Sequence, residues 1–365
     1  MDFNFSLNCQ EKLKPNKSKI QCYNKLVEFK SNPSKIEFLH DIVNDSYIHY
    51  IKWNTFCAFN SIEDIFYLTY SNEQKSIIFY NLIDNKKISE IKNAHAKHIT
   101  NFRHYLDANN KRDLIISISL DDNNIKLWNV NYLVCLLNVE HANKVGGLLS
   151  ACFLIDNNNI NIVTSNHSIS HIEPIKIYDL NGNIIQIIND SKNATDYIDT
   201  YYDNQNSNIY ILACNDNFIK SFDYKQNLIY KTYEDINKYN NNKFYRKSHI
   251  YCIINDKEQL IESSQDNIIR IWNFHSAILL NKIIINQFFV LNGFCLWNNE
   301  YICISYEDET IKIVELKNGK IIKELKNHNK NVLYIEKIIH PIFGECLISQ
   351  GWRNDCIKLW GNVND

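Results

Sequence analysis

The sequence predicts an all-β, seven-bladed β-propeller closed by an N-terminal strand that pairs with the last blade. Three observations carry that expectation. A short strand pattern recurs seven times at blade-like spacing. Each copy alternates with period two, the mark of a strand with one face buried. The aromatic of the last copy, Trp360, lies five residues before the end of the chain, which leaves no room for a fourth strand there.

The repeat is a polar turn, then β-branched residues alternating with Lys, then an aromatic followed by an acid or amide. Its clearest copies are Asp122-Asn-Asn-Ile-Lys-Leu-Trp128-Asn129 and Asp266-Asn-Ile-Ile-Arg-Ile-Trp272-Asn273. Further copies are Ile175-Lys-Ile-Tyr178-Asp179, Ile219-Lys-Ser-Phe222-Asp223, Ile311-Lys-Ile-Val314-Glu315 and Ile357-Lys-Leu-Trp360-Gly361, with a weaker one at Ile77-Ile-Phe-Tyr80-Asn81. The aromatic position falls at 80, 128, 178, 222, 272, 314 and 360, at intervals of 48, 50, 44, 50, 42 and 46 residues. The missing fourth strand of the last blade is assigned to the apolar stretch Lys35–Val43, which joins the two ends of the ring and removes two sheet edges. The expected organisation is a polar, basic leader over residues 1–34 and a propeller over 35–365. The leader carries six Lys against Asp2, Glu11 and Glu28, and reads either as a solvated tail or as an arm for an acidic partner.

Composition narrows the function classes. The chain has 365 residues, 45% hydrophobic and 22% charged, with a net charge of −2, so it can build a core and carries no overall polyanion-binding charge. With only 8 Gly and 4 Pro, turns that need the left-handed region must use Asn or Asp. The runs Asn157–Asn159 and Asn240–Asn242 therefore read as loops. Eleven Cys occur without a C-x-x-C pair, mostly inside apolar runs such as Phe56-Cys57-Ala58 and Ile302-Cys303-Ile304. They read as small buried hydrophobes in a reducing compartment, hence a cytoplasmic or nuclear location. Residues 1–15 lack the apolar core of a signal peptide, and no run approaches the roughly 18 apolar residues of a membrane span. No membrane insertion is expected.

Taken together, these motifs resemble the WD40-repeat family with degenerate repeats, from about residue 35 to the C-terminus. Three segments resemble its Gly-His-x-x-x-Val motif with the Gly replaced: Ala94-His95 to Ile99, Glu140-His141 to Val145 and Asn327-His328 to Val332. The resemblance implies hydrogen-bonded chains of His, Ser, Asp and Trp within blades. Blade 2 supplies His95, Ser117 or Ser119, Asp122 and Trp128. Blade 5 supplies Ser264, Asp266 and Trp272, with no His in place. Blade 7 supplies His328, Ser349 and Trp360, with Asn354 or Asp355 as the acid. Such Ser, His and Asp sets raise the question of nucleophilic catalysis, but they are expected to be buried, mutually satisfied and structural.

No G-x-S-x-G, G-x-G-x-x-G, phosphate-binding loop or H-E-x-x-H is present, so no enzyme activity, cofactor or small-molecule substrate is expected. The cluster His167, His171 and Glu173 has no diagnostic metal spacing and reads as a solvated loop, so no metal is expected. The segment 233–247 is long for a blade connection. It mixes Lys238, Lys243, Arg246 and Lys247 with Tyr239, Phe244 and Tyr245, a composition suited to nucleic acid or an acidic peptide, or simply to a low-complexity insertion.

The resemblance also implies a partner-binding rim on the loops leading into each blade. Carried over, its exposed positions are His98, Thr100, Lys144, Gly146, Asn331 and Leu333. The strand pattern adds Tyr47, His49, Tyr197, Asp199, His249 and Tyr251, and Tyr suits an interface because it buries area at low entropy cost. The expected function is a non-catalytic scaffold that binds other proteins within a larger complex. The alternative is an RNA or ribonucleoprotein assembly factor using the basic aromatic loop and the leader, and a third, weaker reading is an enzyme on a propeller scaffold.

Overall fold

The computed structural model describes residues 32–44, 46, 54–140, 148–165, 174–188, 195–215, 218–235, 250–264, 266–285, 291–352 and 355–362. Among these residues, 28 strands form seven four-stranded antiparallel sheets, the blades of a propeller. Blade 1 comprises Phe56–Asn60, Phe66–Ser71, Ile77–Asn81 and Lys86–Ile91. Blade 2 comprises Ile99–Asp107, Arg112–Ser119, Asn124–Asn129 and Val134–Glu140. Blade 3 comprises Ala151–Asp156, Asn159–Thr164, Ile175–Tyr178 and Ile184–Ile188. Blade 4 comprises Tyr197–Asp203, Asn208–Cys214, Ile219–Asp223 and Leu228–Tyr233. Blade 5 comprises Tyr251–Ile254, Gln259–Ser263, Ile268–Asn273 and Leu279–Ile284. Blade 6 comprises Leu291–Leu296, Tyr301–Tyr306, Thr310–Glu315 and Ile321–Lys326. Blade 7 takes Val332–His340, Gly344–Gly351 and Ile357–Asn362 from the C-terminal end and Ile36–Val43 from the N-terminal end.

That last sheet is the closure the sequence predicts. Ile36 pairs with Asn362, Phe38 with Trp360 and Val43 with Ile357. Ile36 is fully buried, and Phe38 meets Trp360 edge to face at 5.6 Å between ring centroids. Blades 7 and 1 are also tied by polar contacts: Thr55 Oγ1 donates to Gln350 Oε1 at 2.8 Å, and Tyr334 Oη to Asn54 Oδ1 at 3.1 Å.

Every repeat aromatic position lies on the third strand of its blade. In blades 1 to 6 the pairing between third and fourth strands slips by one residue just before that position, for example between Leu127 and Trp128 and between Ile271 and Trp272. Such a bulge raises the local twist, which a blade needs to pack against its neighbours. Turns follow the low Gly content. Asn54, Asp64, Asn85, Asn93, Asn123, Asn157, Asn158, Asn227 and Asn267 all have positive φ, between 47° and 71°. The Asn157–Asn159 segment is a tight turn whose last residue already opens the next strand.

One expectation needs correction. The third strands of blades 6 and 7 are not buried on one face only: Thr310 to Val314 and Ile357 to Gly361 are all buried, whereas Lys126, Lys176 and Lys220 of blades 2 to 4 stay partly exposed between buried neighbours. Lys312 and Lys358 are buried because each is held by a partner, and the partly exposed Lys126 is held too. Lys312 Nζ reaches Asp308 at 2.8 Å, Lys358 Nζ reaches Asp41 at 2.6 Å, and Lys126 Nζ donates to the Ala94 carbonyl at 2.7 Å. A buried charge is tolerated when paired in this way. The apolar core itself lies between blades, in clusters that join facing sheets.

Candidate functional site

The face that carries the loops between blades and the turns between second and third strands is called the upper face here. Two of the expected hydrogen-bonded chains stand on it. In blade 7, Trp360 Nε1 donates to Ser349 Oγ at 2.7 Å, Ser349 Oγ lies 2.6 Å from His328 Nε2, and His328 Nδ1 lies 2.7 Å from Asp355 Oδ2. The acid is therefore Asp355. In blade 2, Trp128 Nε1 donates to Ser117 Oγ at 2.8 Å and Ser117 meets His95 Nε2 at 2.8 Å, while His95 Nδ1 stands 3.5 Å from Asp122. The Ser is Ser117, not Ser119, and this copy is looser at its acid end. Asp122 Oδ2 accepts the backbone N–H of Ala96 and so fastens the turn before the blade to the turn within it.

Electrostatics fix the protonation of these chains. Burial lowers the pKa of His95 and His328 below the usual imidazole value, although the neighbouring carboxylates pull the other way. Burial pushes the Asp122 and Asp355 carboxyls up, but their hydrogen bonds to His outweigh it and hold them below the usual range. In blade 7 a neutral imidazole then donates from Nδ1 to the Asp355 carboxylate and accepts the Ser349 hydroxyl at Nε2. The order of groups is that of a hydrolase triad. Its serines are fully buried, however, and each Oγ already accepts an indole N–H. The arrangement can brace a turn; it offers no oxygen to a substrate.

Blade 5 departs from the pattern. Trp272 Nε1 donates to Glu262 Oε2 at 2.9 Å, not to Ser264. Ser264 donates to Asp266 and sits 3.2 Å from Arg270 Nη1. Arg270, on the third strand, meets three carboxylates instead: it lies 2.5 Å from Asp266, 3.0 Å from Asp235 and 3.5 Å from Glu262. Lys282 also reaches Asp235, at 2.6 Å. Burial pushes the Asp235 carboxyl up, but these two cations hold it down to about 2. The register explains the exchange. The Trp partner lies eleven residues before Trp128 and Trp360 and ten before Trp272, whereas the Ser-x-Asp turn points two residues too far along.

The expected rim residues gather differently from the sequence expectation. Tyr197, Thr100 and Leu333 are buried, not exposed. They lie at the start of innermost strands, where neighbouring blades converge and cover them. Thr100 Oγ1 donates to the Ile118 carbonyl at 3.2 Å. Tyr197 Oη accepts from Arg103 Nη2 at 3.1 Å and donates to Asp199 Oδ2 at 2.8 Å. Its ring lies 4.5 Å from that of Tyr251, which meets Phe294 edge to face at 4.9 Å. Arg103 thus reaches from blade 2 to blade 4, and Tyr197 and Tyr251 carry the cluster on to blades 5 and 6. Glu336 and Tyr334 of blade 7 are near enough for their charges and dipoles to be felt at Tyr251. Within this channel-mouth cluster, Asp199, Tyr251 and Arg103 keep partial exposure, as does His98 on the turn before blade 2.

Burial raises the Tyr197, Tyr251 and Tyr334 phenols well above 10, so they remain donors at neutral pH. Burial also pushes the Cys152 thiol far above its usual value. A recess of about 320 Å³ opens beside His328, lined by Asp308, Glu309, Thr310, Glu324, Lys326 and His328. Its Asp308 is bonded to Lys312 and its His328 to Asp355.

Several expected residues lie outside the described residues: Tyr47, His49, Lys144, Gly146 and His249 of the rim, the cluster His167, His171 and Glu173, and Lys238, Tyr239, Lys243, Phe244, Tyr245, Arg246 and Lys247 of the basic aromatic loop. The start of that loop is described, and there Asp235 is held by Arg270 and Lys282. Compared with known proteins, the sequence matches no protein-family model and no curated protein. Fold and geometry together define the class: a seven-bladed β-propeller with a polar, aromatic cluster at the upper mouth of its channel. Among the described residues no helix is long and apolar enough to cross a membrane.

Proposed function

We propose that the chain is a non-catalytic interaction scaffold of the WD40 type that holds partner proteins against the upper mouth of its channel, in the cytoplasm or nucleus. The observation that carries this reading is the cluster of Arg103, Tyr197, Asp199 and Tyr251. Three blades supply it, its members brace one another, and the Asp199 side chain remains 34% exposed beside the partly exposed Tyr251. Rigid, pre-formed aromatic and charged groups of this kind lower the entropy cost of docking and serve as interface anchors. Cys57, Cys152, Cys214, Cys252, Cys295, Cys303 and Cys346 are all buried within the apolar packing, which suits a reducing compartment. Fold alone does not assign function, so the reading rests on the cluster.

The test is a crosslinking pull-down from native extract with wild type and an Asp199→Ala/Tyr251→Ala double variant, after both are shown to fold. Proteins retained specifically by wild type are expected to be lost from the variant. Retention of the same set by both contradicts the proposed docking face.

A further inference from the structure

On the lower face, opposite the cluster just described, blades 4 and 5 bring together Asp203, Glu258 and His275. Each offers one ligand atom, and all three atoms lie within 4.8 Å of one another. Asp203 ends the innermost strand of blade 4, Glu258 lies in the first turn of blade 5, and His275 lies in the turn between its third and fourth strands. We infer that these three side chains form a binding site for a divalent first-row cation such as Mn²⁺ or Zn²⁺.

Each ligand is already aimed by a neighbour. Asp203 Oδ1 accepts the backbone N–H of Gln205 at 2.8 Å, and Oδ2 accepts from Asn206 Nδ2 at 2.7 Å. Gln205 Nε2 donates to Glu258 Oε1 at 2.7 Å, which leaves Oε2 turned towards His275 Nε2 at 3.3 Å. On the far side of the ring, His275 Nδ1 lies 3.1 Å from Tyr230 Oη. An N–H at Nδ1 donated to that phenol leaves the Nε2 lone pair for a cation, the arrangement that orients metal-binding histidines. Two carboxylates and an imidazole suit Mn²⁺ and Zn²⁺, whose bonds of about 2.0–2.2 Å draw the three ligand atoms, now within 4.8 Å of one another, together on binding.

An internal comparison points independently to a cation. Blade 2 builds the same turn with Asp107, which accepts from Asn110 N at 3.2 Å and Asn110 Nδ2 at 2.8 Å, as Asp203 does from Asn206 at 3.3 and 2.7 Å. In blade 2, Asp107 pairs across the strands with Arg112, whose Nε neutralises it at 2.7 Å. In blade 4 the matching residue is Asn208, which carries no charge. Asp203 is fully buried, and among the described residues no Lys or Arg forms an ion pair with it or with Glu258. A buried carboxylate facing a second carboxylate without a cation is costly. A divalent ion here takes the place that the Arg112 guanidinium takes in blade 2.

The probe is Mn²⁺ alone, with free ion counted by electron paramagnetic resonance against the full chain and Zn²⁺ added as competitor. Wild type is expected to bind one Mn²⁺ per chain, displaced by Zn²⁺, and to melt at a higher temperature with it. His275→Ala and Glu258→Gln change partly exposed side chains and are expected to weaken binding about ten- to a hundredfold. Asn208→Arg installs the blade 2 cation and is expected to abolish binding without loss of the folded state. Wild type that takes up neither ion at about 1 mM overturns the inference, as does binding that persists unchanged in all three variants.

Discussion

His328 shows how much of this molecule's behaviour is set by single side chains. Its ring is buried, hydrogen-bonded at both nitrogens and neutral. Folded, it binds fewer protons than in the unfolded chain, where its value is near 6.5. Its contribution to stability is therefore complete above about pH 6.5 and is lost as pH falls through the lower folded value. His95 acts in the same direction. The depressed carboxyls of Asp122, Asp355 and Asp235 add a second loss, starting only below about pH 4. The melting temperature is thus expected to drop in two stages on acidification, and His328→Gln is expected to flatten the first. A melting temperature constant from about pH 7 to about pH 5 contradicts this view of the buried histidines. At this scale the sequence was only partly legible. Ser117, Asp122, Ser349 and their Trp partners follow from the repeat, because each chain lies within a single blade, blade 2 or blade 7. Glu262 and Arg270 do not, because a carboxylate stands where the pattern calls for a hydroxyl. Counting back ten or eleven residues from each Trp would have found Glu262.

The N-terminal strand Ile36–Val43 is the element on which closure depends. Its apolar residues were readable as a strand, and its place followed from the short C-terminal end. Ile36 is fully buried against the blade 6 and blade 7 side chains Trp297, Trp360 and Leu325. Ile36→Ala is expected to cost about 2–5 kcal/mol in urea unfolding, as for other buried large-to-small changes. Ile184→Ala, on the exposed outer strand of blade 3, is expected to stay within about 0.5 kcal/mol. Similar small effects at both positions contradict closure by this strand. What the element pattern hid was the burial of third-strand Lys residues. Local alternation marks Lys312 and Lys358 as outward-facing, whereas the partners that cover them, Asp308 and Asp41, come from a turn and from the far end of the chain.

Seven such sheets in a ring place their sites where blades meet. The channel-mouth cluster draws on blades 2, 4, 5 and 6, and the lower-face triad on blades 4 and 5. Neither was legible in the sequence, since no local pattern joins Arg103 to Tyr197 or Asp203 to His275. Rim positions were placed by analogy on single strands, so the packing that buries Tyr197 and Leu333 was invisible. The central claim, that partners dock at the upper mouth, is tested most directly by site-specific photo-crosslinking. A photoreactive residue is placed at position 98 or 251, or as a control at position 229 on the outer strand of blade 4, where Ile229 is exposed. Crosslinks to one set of partner proteins from 98 and 251, absent from 229, are the expected result; crosslinks from 229 alone would contradict the account.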